Sequence, residues 1–236
     1  MVSPPIPKLS DHVLPSTLPV KECGEAMVPL STLSARISVY PAYYAQGYAG
    51  TTPEAYLRKE AAQRLASAAE QLPPGYELVV LDGWRSFEVQ ASLYEGFRQS
   101  LLLKGWQEGA ALAEELRKFV ALPTTDITKP SPHLSGGAVD LTIAGPDGWL
   151  DMGTDFDDFT EAAATRHYEE LSQPTENEVM IRNNRRLLYH LMTSAGFVNY
   201  AKEWWHYEYG TRSWGQQTHQ KPIYAGILSM EKITVE

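Results

Sequence analysis

Cysteine is nearly absent from this sequence: Cys23 is the single cysteine among 236 residues. One thiol cannot close a disulfide within the chain, and it cannot form a zinc–thiolate cluster by itself. We therefore expect no internal disulfide, and we assign no function to Cys23.

Long apolar runs and an excess of positive charge are also missing. No uninterrupted apolar stretch approaches the roughly 20 residues that a bilayer-spanning helix needs. The N-terminus lacks the basic segment and apolar core of a secretory signal. The net charge is −9, which argues against a nucleic-acid footprint and against docking on an anionic membrane. We expect a cytoplasmic protein with neither nucleic acid nor membrane as a partner, and a homo-oligomer remains possible.

The composition favours one folded domain preceded by a short arm. Hydrophobic residues make up 43% of the chain, which is enough to bury a proper core. Residues 1–30 are rich in proline and lack periodicity, so we predict an extended or partly disordered N-terminal arm. No linker divides the remainder, and we predict a single domain over residues 31–236.

Periodicity and capping residues predict an α+β fold. The Thr175–Glu178 pair forms a capping box, and Gly196 is a plausible end for the helix that follows it. Valine- and leucine-rich runs between the helical stretches predict buried strands. We predict helices over 52–72, from about Ser86, within 107–122 and over 175–197, and strands within 76–83, 138–143 and 197–210. This order predicts a small, mostly antiparallel sheet flanked by helices.

Most of the unusual polar residues lie in three segments: "DGWRS" at 82–86, "SPHLSGGAVD" at 131–140 and "EWWH" at 203–206. In the second, His133 precedes a Gly-Gly turn and Asp140 follows it, so the turn can bring both side chains to one point. An imidazole and a carboxylate suit Zn²⁺, although a catalytic zinc needs three protein ligands. Each residue alone is more often structural, as a hydrogen-bonded core histidine or an aspartate of a turn.

His206 is the natural third ligand, because the aromatic residues around it would provide an apolar, shaped site. Glu203 precedes it by three positions, which on a regular strand would place the two side chains on opposite faces. Either the backbone bulges, or Glu203 lies in the turn before the strand. A carboxylate beside an activated water can take its proton and pass it to a leaving amine.

Arg85 follows a strand end and a glycine, a place where side chains project into clefts. A fixed guanidinium there could stabilise the negative charge that develops on a carbonyl oxygen during peptide hydrolysis. The alternative is an ordinary surface arginine. We interpret Asp157 and Asp158 as acids of a solvated loop, and we find no partner for His12, His190 or His219.

Jointly, these segments resemble the zinc D-alanyl-D-alanine dipeptidases. "SPHLSGGAVDLTI" is similar to their S-x-H-x(6)-D block, "EWWHYE" to their E-x-W-H block, and "LDGWRS" to their D-G-Y-R-P segment. The blocks occur in the family's order over roughly residues 35 to 210. The sequence departs from the family at Trp84 and Ser86, which affects the shape of the substrate pocket.

This resemblance implies a small α+β zinc-peptidase fold with one Zn²⁺ per chain. It makes His133, Asp140 and His206 the zinc ligands, Glu203 the general base and acid, and Arg85 the residue that stabilises the oxyanion. It also places Ser131 in contact with the substrate. Asp82 would orient Arg85 or bind the substrate amine, although a turn cap is an equally good interpretation.

The resemblance therefore predicts a zinc dipeptidase that hydrolyses D-Ala-D-Ala or a related D-dipeptide. We expect a small, closed cavity, with Trp84, Trp204 and Tyr207 as candidates for its walls. Two alternatives remain: a zinc DD-carboxypeptidase or endopeptidase acting on peptidoglycan stem peptides, and a zinc-holding binding module without turnover.

Overall fold

A six-stranded sheet lies at the centre of the computed structural model, which describes residues 3–9 and 18–229. In these residues the strands are β1 (Met27–Pro29), β2 (Ile37–Val39), β3 (Tyr56–Arg58), β4 (Glu77–Asp82), β5 (Ala138–Gly145), β6 (Gly148–Trp149), β7 (Val198–Asn199) and β8 (His206–Glu208). The helices are α1 (Ala42–Ala45), α2 (Lys59–Ala69), α3 (Phe87–Leu103), α4 (Ala110–Arg117), α5 (Glu176–Ser194) and α6 (Arg212–Thr218).

The strand order of the large sheet is β2-β4-β5-β8-β7, with β6 paired to β5. The β2–β4 pair is parallel and every other pair in this sheet is antiparallel. The prediction of an α+β fold with a mostly antiparallel sheet is confirmed. Among the described residues, no helix combines the length and the apolar character needed to cross a bilayer.

One face of β5 packs into the hydrophobic core, and the other carries Asp140. Val139, Leu141 and Ile143 are completely buried in one hydrophobic cluster, which also contains Leu65 of α2 and Leu188 of α5. Because side chains alternate along a strand, Asp140 points to the opposite face. The core therefore fixes β5 firmly while its other face is free to carry polar chemistry.

Two helix starts follow from local capping, as predicted. The Ser86 side chain accepts a hydrogen bond from the Val89 N–H at the start of α3. Thr175 and Glu178 form the complete capping box at the start of α5. Both helices begin where these side chains satisfy N–H groups that the helix itself leaves unpaired.

The helix predicted over 52–72 is wrong in its first part. Residues 56–58 form β3, which pairs with β1, and α2 begins only at Lys59. The helix predicted within 107–122 is also shorter, spanning Ala110–Arg117. Pairing with a distant strand overrode the local helical pattern in the first case.

The N-terminal region contacts the domain at two places. Ile6 is buried, and its backbone N–H donates to Glu169 Oε1 at 3.0 Å. Further along, β1 pairs with β3. The division of the chain into an arm over 1–30 and a domain over 31–236 stays a prediction.

Candidate metal centre and active site

Three residues that lie opposite one another on neighbouring strands form the base of the site. In the register of the sheet, Asp82 of β4 lies opposite Asp140 of β5, and Asp140 lies opposite His206 of β8. Residues directly opposite each other in an antiparallel pair project from the same face. Three distant segments thus place a row of ionisable side chains on one face of the sheet.

His133 reaches this row from a short 3₁₀ turn, His133–Ser135. The turn ends at Gly136, whose φ of +71° favours glycine and where a Cβ would lie 2.6 Å from Met27 Sδ. Ser131 lies just before the turn and accepts a hydrogen bond from the Leu134 N–H at 3.4 Å. The Gly-Gly turn therefore folds His133 back over β5, as the sequence led us to expect.

The three side chains predicted to bind the metal converge. His133 Nε2 lies 3.3 Å from Asp140 Oδ2 and 3.2 Å from His206 Nδ1, and His206 Nδ1 lies 2.9 Å from Asp140 Oδ1. All three side chains are buried, and their ligand atoms lie within 4.8 Å of one another. Although burial raises the pKa of Asp140, the two imidazoles outweigh it and lower that pKa, so the carboxyl is ionised.

The second nitrogen of each imidazole is already engaged. His133 Nδ1 lies 2.7 Å from the Gly83 carbonyl oxygen, and His206 Nε2 lies 3.2 Å from Glu208 Oε1. Each neutral ring can donate its one N–H to that acceptor. The lone pairs of His133 Nε2 and His206 Nδ1 then remain free to bind a metal ion beside Asp140. Two imidazoles in the ligating tautomer and one carboxylate fit a divalent metal ion such as zinc.

Glu203 lies in the turn before β8, which was one of the two arrangements that its spacing allowed. Its Oε2 is 4.0 Å from His206 Nδ1, and the residue is 7% exposed. Burial raises the pKa of this carboxyl to about 8. The side chain thus stands beside the three converging ligand atoms without being one of them.

Arg85 is held in place on several sides. Its Nε donates to Asp82 Oδ2 at 2.8 Å, and its Nη1 donates to Gln90 Oε1 at 3.0 Å. Its Nη2 lies 3.5 Å from Asp140 Oδ2, and the guanidinium sits 4.8 Å from the centre of the Tyr43 ring. This is a positioned cation next to the ligand cluster, not a surface arginine.

Asp157 is a residue of the site that the sequence interpretation missed. It lines the same cavity, and its Oδ2 accepts a hydrogen bond from the Tyr43 hydroxyl at 2.7 Å. Burial raises the pKa of its carboxyl to about 7, although the nearby Arg85 opposes this. The expectation of a solvated loop acid is therefore wrong for Asp157; its position depends on α1, which no local pattern links to it.

A second missed feature fixes the turn that carries Glu203 and His206. The Asn199 side-chain amide donates to the backbone oxygens of both residues, each at 3.0 Å. Asn199 Oδ1 in turn accepts from the Thr165 hydroxyl at 2.7 Å. Asn199 and Thr165 are both buried, so this network ties the two candidate site residues together through the backbone.

The site opens into a cavity of about 420 Å³. Ser131, Arg85 and Glu203 line it together with the three ligand residues, whereas Asp82 lies behind Arg85 and is not in its wall. This volume falls near the lower end of the range for small-molecule pockets.

The aromatic residues predicted to form its walls do not do so. Tyr207 is completely buried, and Trp204 donates to Thr154 Oγ1 away from the cavity. Trp84 donates to the Ile227 carbonyl oxygen. Trp205, whose side chain alternates with that of Trp204 along the chain, lines the cavity instead.

His190 and His219 are not in the wall of this cavity. His190 Nε2 is 2.8 Å from the Pro4 carbonyl oxygen, and His219 is the C-terminal cap of α6 with a φ of +57°. His12 lies outside the described residues. His190 thus has a partner that the sequence did not indicate.

Comparisons with known proteins agree on one family. A family model described as D-ala-D-ala dipeptidase (Peptidase_M15) matches residues 51–223. A D-alanyl-D-alanine dipeptidase of Synechocystis is 27% identical over 234 residues, covering 89% of this chain and 94% of the relative. The Escherichia coli D-alanyl-D-alanine dipeptidase is 32% identical over 155 residues, covering 64% of this chain and 65% of the relative.

Among solved structures, VanYB in complex with D-alanine-D-alanine is 18% identical, with 72% of this chain and 82% of that chain covered. The TM-score is 0.41. At that score the likeness carries no argument about the site.

Proposed function

Because this chain belongs to the D-Ala-D-Ala dipeptidase family, we propose that it is a zinc peptidase that hydrolyses D-Ala-D-Ala or a related D-dipeptide. The observation that carries the proposal is the convergence of His133, Asp140 and His206 beside the Glu203 carboxylate in one cavity.

His133 Nε2, His206 Nδ1 and Asp140 would hold one zinc ion per chain. A zinc ion bound there would supply a Lewis acid for the scissile carbonyl and for the attacking water. The hydrogen bonds from the imidazoles to Gly83 and Glu208 keep the two histidines in the required tautomer.

Glu203 is the general base and acid of this proposal. Its carboxylate lies next to the ligand atoms, where it can take a proton from water and return it to the departing amine. The raised pKa that burial produces suits a group that must both accept and release a proton near neutral pH.

Arg85 would stabilise the negative charge that develops on the substrate carbonyl oxygen. Because Asp82 and Gln90 already hold its guanidinium, no reorganisation is needed during the reaction. We propose that Asp82 acts through Arg85 and not on the substrate itself.

The substrate's two charged ends need partners as well. Ser131 lines the cavity and can donate a hydrogen bond from its hydroxyl. Asp157 offers a carboxylate for the free ammonium group of a dipeptide. The acidic net charge supports the further proposal that the protein has neither nucleic acid nor an anionic membrane as a partner. A cytoplasmic location and homo-oligomerisation stay predictions.

The decisive experiment measures metal content and D-Ala-D-Ala hydrolysis together, with and without a chelator. We expect stoichiometric zinc and activity that disappears when the metal is removed. The Glu203→Ala variant should retain zinc and lose nearly all turnover, while Glu114→Ala, an exposed acid on α4, should behave as the wild type. Normal turnover in Glu203→Ala would contradict the assigned role.

The two alternatives give different results in the same assay. A zinc carboxypeptidase or endopeptidase would cleave an N-acylated tripeptide in preference to the free dipeptide. A binding module would hold zinc and hydrolyse neither substrate. The carboxylate of Glu203 beside the metal ligands argues against a module, because a structural zinc has four protein ligands and needs no base.

A further inference from the structure

The cavity continues beyond the polar centre into an apolar region. We call this region the apolar subsite and define it by Leu93, Gly96 and Phe97 of α3, Phe119 and Phe159, all of which line the cavity. A space of roughly 150 Å³ is enough for a benzene-sized ligand. The cavity of about 420 Å³ therefore has room for an aromatic ring besides the backbone of a dipeptide.

The three phenylalanine rings form one cluster. The Phe97 ring centre lies 4.8 Å from that of Phe159 and 5.9 Å from that of Phe119, and the last two lie 5.4 Å apart. All three side chains are only half-buried. Their remaining ring surface faces a cavity, where an apolar group would remove it from water.

Gly96 is the smallest residue in the wall of the apolar subsite. It lies in the middle of α3, where glycine costs up to about 1 kcal/mol relative to alanine. It has no positive φ, and a Cβ built on it would meet nothing within 4 Å. Neither backbone conformation nor crowding requires glycine here. Gly96 is exposed and lines the cavity, so a leucine at this position would project into open space at the cavity wall.

The charged residues that line the cavity indicate which end of a bound dipeptide lies next to the apolar subsite. Glu203 and Asp157 line the polar part of the cavity, where an ammonium group is stabilised. Arg117 also lines the cavity, two residues before Phe119, and its guanidinium has no hydrogen bond or ion pair with any described residue. A terminal carboxylate beside Arg117 would place the side chain of the C-terminal residue next to the phenylalanine rings.

We propose, building on the dipeptidase function proposed above, that the enzyme accepts D-dipeptides whose C-terminal residue has a large apolar side chain, which binds in the apolar subsite. The reaction is ordinary hydrolysis: the oxygen of one water forms a bond to the carbonyl carbon, the amide C–N bond breaks, and the leaving nitrogen gains a proton from that water. D-Ala-D-Phe would give D-Ala and D-Phe.

The test compares kcat/KM for D-Ala-D-Phe, D-Phe-D-Ala and D-Ala-D-Ala in the zinc-loaded full chain. Wild type should cleave D-Ala-D-Phe at least as well as D-Ala-D-Ala and better than D-Phe-D-Ala. Gly96→Leu should lower the ratio of D-Ala-D-Phe to D-Ala-D-Ala by about tenfold or more, the size of effect that apolar pocket volume produces. Gly96→Ala should retain most of the ratio.

Gln99→Leu is the matched control, because it adds the same side chain to α3 at an exposed position outside the cavity wall. It should leave the ratio at the wild-type value. Thermal unfolding of each variant verifies that the fold is intact, and leucine is a better helix former than glycine.

Several outcomes would overturn the inference: an unchanged ratio in Gly96→Leu, the same loss in Gln99→Leu, or a preference for D-Phe-D-Ala. Hydrolysis of D-Ala-D-Ala alone would refute the apolar subsite and leave the dipeptidase function standing. Failure to hydrolyse every dipeptide would refute the dipeptidase function and, with it, this inference.

Discussion

Removing the Glu208 carboxylate should weaken metal binding although Glu208 is not one of the proposed ligands. Glu208 is 4% exposed, and its Oε1 lies 3.2 Å from His206 Nε2. Its other oxygen accepts a hydrogen bond from the Thr211 hydroxyl, which also caps α6. The carboxylate is therefore fixed where it can hold the His206 ring with Nδ1 directed at the metal.

Two effects of Glu208→Ala can be separated. Losing the partner of a ligating histidine costs about 10- to 100-fold in metal affinity, or roughly 1.4 to 2.7 kcal/mol. The buried Nε2–H of His206 would also be left without its acceptor, which costs about 1–3 kcal/mol of folding stability. Glu208→Gln keeps an oxygen acceptor at the same place, so both losses should be smaller.

The assay is zinc competition against a chelating dye, combined with urea unfolding of the metal-free protein. We expect the order of zinc affinity to be wild type, then Glu208→Gln, then Glu208→Ala. Wild-type affinity in Glu208→Ala would refute the idea that this carboxylate orients His206. A Gln variant weaker than the Ala variant would show that the hydrogen bond is not the cause.

Two further predictions concern the supports of the site and of the N-terminal segment. Asn199→Ala should lower kcat more than it raises KM and should destabilise the fold by about 1–3 kcal/mol, because two backbone oxygens lose their donor; unchanged kcat in steady-state kinetics would contradict this. At Glu169, burial raises the carboxyl pKa, but the hydrogen bonds from Arg186 outweigh it and the pKa lies below its usual value. Ionised Glu169 therefore adds to the free energy of unfolding above the unfolded-state pKa of about 4.3, and this contribution is lost as pH falls through the lower folded-state pKa. The difference in free energy of unfolding between wild type and Glu169→Gln should therefore shrink in acid. A gap that stays constant between neutral and acidic urea unfolding would refute this.

Local chemistry determined several elements from the sequence alone. The start of α3 at Ser86 and the capping box of Thr175 and Glu178 were predictable, because each depends on hydrogen bonds within one helical turn. The turn at Gly136 was predictable because few other residues adopt its positive φ. The side chains of His133, Asp140 and His206 were identified as candidates from residue type, spacing and family resemblance.

Tertiary structure decided the rest. Residues 56–58 have a helical pattern but form β3. The hydrogen bonds of the pairing with β1 outweigh the weak local preference for a helix. Asp157 belongs to the cavity because Tyr43, more than a hundred positions away, holds it there. The proposed apolar subsite exists only because α3, the segment after α4 and the loop that carries Phe159 line one cavity.

By itself, the sequence determined which groups could bind a metal and move a proton, because those capacities belong to the side chains. Only the tertiary structure decided that Asp82, Asp140 and His206 stand in one cross-strand row, since that depends on strand register. Register is set by burying the opposite face of β5 across the whole sheet, a long-range energy that no short stretch of sequence contains.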